Sequence, residues 1–295
     1  MLQFLSPQLS DYKKIGAFFA DDGEMSCEMN FINIYVWQAV YDNRYYIDDK
    51  TLIFKSKDES DNIVFSLPYG DINYGMSLIF EYCKELGIRP DLWAGEGKRL
   101  EEFMRLFPKY DMLPCRDNFD YIYKREALAE LKGKKYHSKR NHIAAFTKRY
   151  DWRYETLTQS NKSDFLLFAR KWYDDKGGQN DVGLSAEYNA ISNLLLTEDA
   201  PEYKGAIIRV DGRVVAATLG SSVNSYTFDI HYEKADADYL GAYPLINREF
   251  AANELSDYEY INREDDLGIE GLRKAKMSYH PEILLKKYNL VYKDE

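Results

Sequence analysis

Two successive runs of short strands and helices account for most of this chain, and this repetition limits the folds it can adopt. Strands are predicted in the first half over residues 44–48, 51–55, 63–67, 92–94 and 119–123, with helices over 72–86 and 98–107. The second half predicts helices over residues 161–173, 185–196, 243–255 and 271–279, with strands over 206–210, 214–219, 226–232, 258–262 and 290–292. Asp211 and Gly212 separate two of these strands, which is a strong hairpin signal. The pattern predicts an α+β protein made of two units of similar order.

Composition and cysteine usage narrow the class of protein. An apolar content of 45% and an aromatic content of 15% exclude general disorder, and 295 residues suffice for two domains. The three cysteines, Cys27, Cys83 and Cys115, are widely spaced and form no Cys-x-x-Cys motif, so no disulfide framework is expected. No segment approaches the ~18 apolar residues that cross a bilayer, and the first residues lack a signal-peptide pattern. We therefore expect a cytoplasmic protein without a transmembrane segment.

A basic segment at residues 132–149 stands out against a formal net charge of −10. It contains seven Lys or Arg residues, two His residues and no acid. Tyr136, Ile143, Phe146 and Tyr150 recur at helical spacing, so the segment predicts a helix that buries a narrow apolar stripe. Such a helix either balances nearby acids on the surface or binds a polyanion. The absence of acids makes phosphate the first ligand to consider.

A second candidate site follows the predicted strand that ends at Asn262. Arg263, Glu264, Asp265 and Asp266 come directly after it, before two glycines and a basic helix. Adjacent carboxylates can raise one another's pKa, so Glu264 or Asp265 is our candidate general base. Arg273 and Lys276 lie one helical turn apart and could bind a carboxylate or phosphate. The alternative is a loop whose acids cap the following helix and pair with its cations.

Signals for other chemistries are weak. Enzymes that bind acyl-CoA place a glycine-rich loop with a basic or amide residue before a helix, whereas residues 233–244 carry Asp236 and Asp238 there, which would repel a pyrophosphate. CoA is therefore disfavoured as a cofactor. The four histidines have no metal-ligand spacing, and the sequence places no Ser or Asp partner beside them for a catalytic triad. No metal site is predicted.

Residues 133–142 and 262–281 resemble the C-terminal domain family of phosphatidylglycerol lysyltransferases, in particular its soluble stand-alone bacterial members. The resemblance runs over nearly the whole chain. It implies two tandem N-acetyltransferase-like domains, each a mixed, mostly antiparallel sheet flanked by helices, related to Fem-type peptidyltransferases. We place the domains at residues 1–130 and 151–295, joined by a basic connecting helix at 131–150.

The resemblance also implies roles for individual residues. Phosphate of tRNA or of a lipid headgroup is assigned to Lys135, Lys139, Arg140 and His142. The acceptor pocket is assigned to Arg263, Arg273, Lys276 and Tyr279.

The function expected from these observations is transfer of an aminoacyl or acyl group from an aminoacyl-tRNA to a polar lipid or small amine. The donor ester is already activated, so alignment, one base and an oxyanion site suffice, and backbone amides of residues 214–220 are candidates for the oxyanion. One alternative is a CoA-dependent N-acyltransferase acting on a small amine. Another is a non-catalytic protein that binds tRNA or anionic lipid.

Overall fold

The computed structural model describes residues 2–19, 23–58 and 60–293 of the chain. Two compact units are present. The first contains Met1–Asp120, Asp265–Ile269 and Leu284–Glu295, and the second contains Tyr121–Glu264 and Glu270–Ile283. No helix in the described ranges combines the length and the apolar character needed to cross a membrane.

Ten α-helices and fourteen strands cover the described chain. The helices are α1 (Tyr12–Gly16), α2 (Phe31–Tyr41), α3 (Ile72–Leu86), α4 (Lys98–Leu106), α5 (Arg125–Glu130), α6 (His137–Arg149), α7 (Lys162–Asp175), α8 (Val182–Leu196), α9 (Ala242–Asn253) and α10 (Glu270–Met277). The strands are β1 (Arg44–Ile47), β2 (Thr51–Lys57), β3 (Ile63–Ser66), β4 (Tyr69–Gly70), β5 (Leu92–Gly95), β6 (Tyr110–Pro114), β7 (Asp120–Lys124), β8 (Trp152–Thr156), β9 (Lys204–Val210), β10 (Arg213–Ser222), β11 (Thr227–Ala235), β12 (Tyr260–Asn262), β13 (Ile283–Leu285) and β14 (Lys287–Tyr292).

The first sheet has the order β1-β2-β3-β5-β14-β6, with β4 paired to β2. Its core contains Ile53, Phe65 and Leu290, none of which is measurably exposed. Helix α3 covers this core because Met76 and Ile79 recur on one side of it. Asp71 caps its first turn by accepting a hydrogen bond from the backbone N–H of Tyr74.

The second sheet has the order β13-β7-β12-β11-β10-β9-β8. The predicted hairpin is confirmed: Asp211 and Gly212 have φ values of 49° and 81° between β9 and β10, as a tight two-residue hairpin turn requires. Helices α7 and α9 both pack against β10, and α6 packs against α9. The expected α+β architecture with two mixed sheets flanked by helices is thus present.

The two compact units do not coincide with the domains expected at residues 1–130 and 151–295. Helices α5 and α6 both fall in the second unit, because α5 and α6 pack against α9. The last strand, β14, belongs to the first unit, because it hydrogen-bonds between β5 and β6. Apolar patterning identified this strand but could not identify its partners.

Strands β11 and β12 run parallel and then separate. They pair only at Thr227–Tyr260, Phe228–Ile261 and Asp229–Asn262, although β11 continues to Ala235. Side chains after Asn262 therefore leave the sheet beside the second half of β11. A gap at the carboxyl end of parallel strands is a common place for a ligand.

Candidate functional site

Arg263, the first residue after β12, forms an ion pair that is largely shielded from solvent. Its Nη2 atom donates to Oε1 of Glu233 on β11 at 2.6 Å. Asn247 on α9 donates from Nδ2 to the other oxygen of Glu233 at 3.1 Å. Burial disfavours the charged guanidinium, but the charge of Glu233 outweighs it and raises the pKa of Arg263. The Nη1 atom of Arg263 is buried and has no hydrogen-bond partner among the described residues, so a donor remains for a ligand.

Lys139 of the basic helix reaches the same place. Its Nζ lies 3.9 Å from the ring centre of Tyr279, and Cζ of Arg263 lies 4.9 Å from that ring centre. Burial and, secondarily, the charge of Arg263 lower the pKa of Lys139 to about 8. Two cations therefore lie against one ring, with a single carboxylate, that of Glu233, nearby. The local charge is positive and favours binding of an anion.

Lys276 and Tyr136 hold the polypeptide around this cluster. Nζ of Lys276 donates to the backbone oxygen of Arg263 at 2.6 Å, and the hydroxyl of Tyr136 donates to the backbone oxygen of Tyr279 at 3.0 Å. The hydroxyl of Tyr123 donates to the backbone oxygen of Lys276 at 2.8 Å. These bonds hold the start of the basic helix and the end of α10 in place. Lys276 is buried, and its ammonium binds a backbone oxygen instead of facing solvent.

The other assigned basic residues occupy different environments. The Nη1 atom of Arg140 donates to the backbone oxygens of Leu131 and Gly133, near the end of α5. Lys135 is exposed, with Nζ 5.1 Å from the ring centre of Tyr136. His142 is exposed on α6. Three of the four residues in the predicted apolar stripe, Tyr136, Ile143 and Phe146, are buried, and Tyr150 is half-buried.

Glu264 contacts a histidine that the sequence did not connect to any acid. Its Oε1 lies 3.2 Å from Nδ1 of His231, and Nε2 of His231 lies 2.8 Å from Oγ of Ser221. A second carboxylate oxygen, Oδ2 of Asp229, lies 3.5 Å from Nδ1 of His231. The sequence could place no Ser or Asp partner beside a histidine, and the structure supplies both at His231. The reason is distance in sequence: these residues come from β10, β11 and the segment after β12.

The backbone at Glu264 is strained. Its φ of 55° lies in the left-handed region, which side-chain-bearing residues rarely adopt. The carboxamide of Asn262 accepts a hydrogen bond from the backbone N–H of Glu264 at 2.7 Å, and the Glu264 carbonyl accepts one from Tyr121 at 3.1 Å. Strain of this kind is often retained where a side chain must be held in one direction.

Asp265 and Arg273 complete the set predicted from the sequence. Asp265 is half-buried and belongs to the first compact unit, where its charge helps to raise the pKa of Lys287. Glu264 belongs to the second unit, so the two candidate bases have different surroundings. Arg273 is half-buried on α10.

A family model described as "Phosphatidylglycerol lysyltransferase, C-terminal" matches residues 23–291. The chain belongs to this family. A conserved protein of unknown function from Bacteroides thetaiotaomicron is 34% identical, with a TM-score of 0.90 over 99% of this chain and 100% of that chain. A curated but uncharacterized protein of Mycoplasmoides gallisepticum is 25% identical over 61% of this chain, and the match spans 58% of that protein's length.

More distant structures share the fold. L-PGS from Bacillus licheniformis is 13% identical, with a TM-score of 0.63 over 96% of this chain and 92% of that chain. FemX is 9% identical, with a TM-score of 0.60 over 98% of this chain and 97% of that chain. The suspected membership of the phosphatidylglycerol lysyltransferase C-terminal family is confirmed. The family description, which names a lysyltransferase, supports an acyltransferase whose general chemistry is aminoacyl transfer.

Two groups of side chains in this family member could share a cation. Ligand atoms of Asp229, His231 and Glu264 lie within 4.8 Å of one another, as do those of Cys27, Glu28 and Asp120. In the second group a buried ammonium already lies among these atoms: Nζ of Lys287 is 2.7 Å from Asp120, 2.6 Å from Glu28 and 3.2 Å from Sγ of Cys27. Asp120 and its neighbours outweigh the cost of burial and raise the pKa of Lys287 well above its usual value. A cation at the second group would have to displace that ammonium.

The start of α9 is the helix N-terminus at which a CoA pyrophosphate would be expected to bind. Gly241 caps this helix with a φ of 102°, and a Cβ there would lie 2.5 Å from the backbone oxygen of His142 on α6. The helix N-terminus that would receive a pyrophosphate is therefore approached closely by backbone of the basic helix. This close approach supports the expectation that CoA is not the donor, which stays a prediction.

The proposed oxyanion amides lie on an interior strand of the second sheet. Strand β10 is paired on one side with β9 and on the other with β11, so most of its amides serve the ladder. The pairing with β11 is irregular between Leu219 and Gly220. Within residues 214–220, the hydrogen-bonded pairing of β10 with β11 is therefore interrupted at this point.

Proposed function

We propose that this protein transfers an aminoacyl group from an aminoacyl-tRNA to a hydroxyl or amine of a polar lipid or small molecule. The reaction would occur where β11 and β12 separate. The observation that carries the proposal is the convergence of Lys139 and Arg263 on the ring of Tyr279, within the unit that also holds Glu264. The basic helix and the acid-rich turn, far apart in sequence, contribute to one site.

The basic helix is suited to the phosphates of the donor. Lys135, Lys148 and Arg149 are exposed along it, in a chain whose net charge is −10. A local positive surface on an acidic protein attracts a polyanion to one place and repels it elsewhere. Each phosphate contact releases counterions, so binding of tRNA should fall steeply with salt.

Glu264 is the candidate base for the acceptor. A hydroxyl or amine of the acceptor would attack the carbonyl carbon of the donor ester, while Glu264 takes its proton. The contact with His231 holds the carboxylate in position, and the 3′-oxygen of the tRNA leaves with the proton. No covalent intermediate is needed, because the ester is already activated.

The remaining Nη1 donor of Arg263 would bind an anionic part of the acceptor or donor. Its partner Glu233 prevents the guanidinium from moving, so the donor is pre-oriented. A phosphate diester, as in a lipid headgroup or the tRNA terminus, supplies the required acceptor oxygens.

The test is transfer of radiolabel from charged tRNA to a panel of acceptors, including vesicles of anionic phospholipid and small amines. Glu264→Gln should lower the transfer rate about 10²- to 10⁴-fold with little change in tRNA affinity. Asp265→Asn is the matched control, because its carboxylate is adjacent in sequence but lies in the other unit. Lys139→Met should weaken tRNA binding more than Lys148→Met on the same helix.

The outcomes separate the alternatives. Equal transfer rates in the wild type and Glu264→Gln would remove Glu264 as base, and loss in Asp265→Asn alone would assign that role to Asp265. Salt-dependent tRNA binding without transfer to any acceptor would favour the non-catalytic alternative. Transfer from acetyl-CoA to an amine would favour the CoA-dependent one.

A further inference from the structure

Ser221, at the end of β10, belongs to a triad of polar side chains and is also one of the residues that line a cavity. Its Oγ lies 2.8 Å from Nε2 of His231, whose Nδ1 lies 3.2 Å from Oε1 of Glu264. Ser221 and His231 are each 5% exposed. Ser221 also lines a cavity of ≈ 800 Å³ within the second unit. A serine bonded to a histidine, which in turn contacts a carboxylate, is the arrangement that activates a hydroxyl as a nucleophile.

A β-bulge brings these side chains together. Leu219 pairs with Tyr232 and Gly220 pairs with Ile230, so His231 is the extra residue on β11. Bulges redirect side chains and are common beside active sites. Gly220 permits the close approach of the strands here, since a Cβ at this position would lie 2.0 Å from the backbone oxygen of Asp229.

The carboxylates fix which nitrogen of His231 carries the proton. Oε1 of Glu264 and Oδ2 of Asp229 both lie near Nδ1, and ionised carboxylates only accept hydrogen bonds. Neutral His231 therefore holds its proton on Nδ1. Its Nε2 then has a lone pair directed at Ser221, which is the tautomer that accepts a proton from the serine hydroxyl.

We propose that Ser221 is an acyl-accepting nucleophile, with His231 as its base, acting on esters of short acyl or aminoacyl groups bound in this cavity. Oγ forms a bond to the carbonyl carbon while Nε2 takes the hydroxyl proton. The carbon–oxygen bond of the ester then breaks, and the leaving alcohol takes that proton from His231. Water next attacks the seryl ester, gives its proton to His231 and releases the acid, and Ser221 regains its hydrogen.

The cavity lining favours this substrate class. Phe228 and Tyr258 supply aromatic surface, while Lys162 and Lys204 supply cations and Glu202 an anion. A volume of ≈ 800 Å³ is in the range of small-molecule sites. Both charge signs together suit a short polar acyl ester, including an α-amino ester.

This activity does not depend on the proposed function, because it needs neither tRNA nor the cluster at Arg263. Glu264 takes part in both, as base in one and as the orienting carboxylate in the other. Experiments without tRNA therefore test Ser221 separately.

The experiment uses the full chain with two probes, diisopropyl fluorophosphate and p-nitrophenyl acetate. Intact-mass and peptide mass spectrometry should show one phosphoryl adduct on Ser221, and ester hydrolysis should be saturable. Ser221→Ala and His231→Gln should remove the adduct and lower hydrolysis by about 10²-fold or more. Ser225→Ala is the matched control, since Ser225 is exposed in the turn after β10 and is not among the residues that line the cavity; it should keep both signals within about 2-fold.

Each contrary result is informative. An adduct on another residue, or one that survives in His231→Gln, overturns the proposal. Hydrolysis that EDTA abolishes and Zn²⁺ restores would assign His231 to a bound cation instead. If Ser221→Ala does not fold, Ser221→Cys replaces it: iodoacetamide should modify that thiol, and His231→Gln should slow the modification. An unreactive thiol in a folded variant also overturns the proposal.

Discussion

Replacing Glu233 by glutamine should destabilise the second unit strongly. Glu233 and Arg263 have side chains that are 8% and 13% exposed, and their charged atoms lie 2.6 Å apart. Removing one partner of a buried pair costs about 3–5 kcal/mol, because the remaining charge is left uncompensated. Lys139 adds like charge beside that guanidinium. The free energy of unfolding should fall by this amount, and Tm by roughly 6–20 °C.

The assay is thermal and urea unfolding followed by tryptophan fluorescence. Trp37 and Trp93 lie in the first unit and are replaced by phenylalanine, so that Trp152 and Trp172 report the second. The control adds Arg263→Met to Glu233→Gln. Removing both charges should recover most of the stability, since no uncompensated ion remains.

The pH dependence follows from Lys139. Its pKa is about 8 in the folded protein against 10.5 ordinarily, so between these values the unfolded chain binds more protons. The contribution of Lys139 to stability therefore rises as pH rises through this window. The loss caused by Glu233→Gln should be larger near pH 7 than near pH 9.5, because neutral Lys139 no longer repels Arg263.

Three results would refute this reasoning. The single variant could lose less than about 1 kcal/mol, which is the range of an exposed ion pair. The double variant could be no more stable than the single one. The loss could also be independent of pH, which would separate Lys139 from the charge of Arg263.

Further predictions concern the basic helix and its neighbours. Arg140→Met should cost about 1.5–3 kcal/mol in unfolding free energy, because its guanidinium bonds to two backbone oxygens, while exposed Lys148→Met should stay within about 0.5 kcal/mol. Gly241→Ala should cost at least about 2 kcal/mol in the same assay, since the new Cβ would meet the His142 oxygen at 2.5 Å. Binding of tRNA should weaken as pH rises through about 8, where Lys139 loses its charge, and Lys139→Met should remove that step in a fluorescence titration.

Local patterns predicted many of the elements but not the partners of the strands, and strands such as β6 and β8 were not predicted. The helix over 72–86 and the hairpin at Asp211 and Gly212 follow from amphipathic spacing and turn chemistry, and both are present. Helix α2 was not predicted from the sequence. It is almost uniformly apolar, so it shows little of the periodicity that reveals an amphipathic helix.

Only part of the site could be predicted, because local patterns reveal clusters of charge but not contacts between strands. Arg263, Glu264 and Lys139 stand out because charges cluster around them in sequence, and the structure brings Arg263 and Lys139 to the ring of Tyr279. Ser221 and His231 gave no such signal. Their contact depends on a one-residue bulge, and register is not readable from a single strand's pattern.

The placement of β14 also governs the order in which the chain can fold during synthesis. Strand β14 lies between β5 and β6 in the first sheet, so these two strands stay unjoined during synthesis until residues 287–292 have been made. Residues 121–264 can meanwhile collapse as a nascent domain. The first unit should therefore acquire protease resistance last, and chaperones should engage its unpaired strand edges longest.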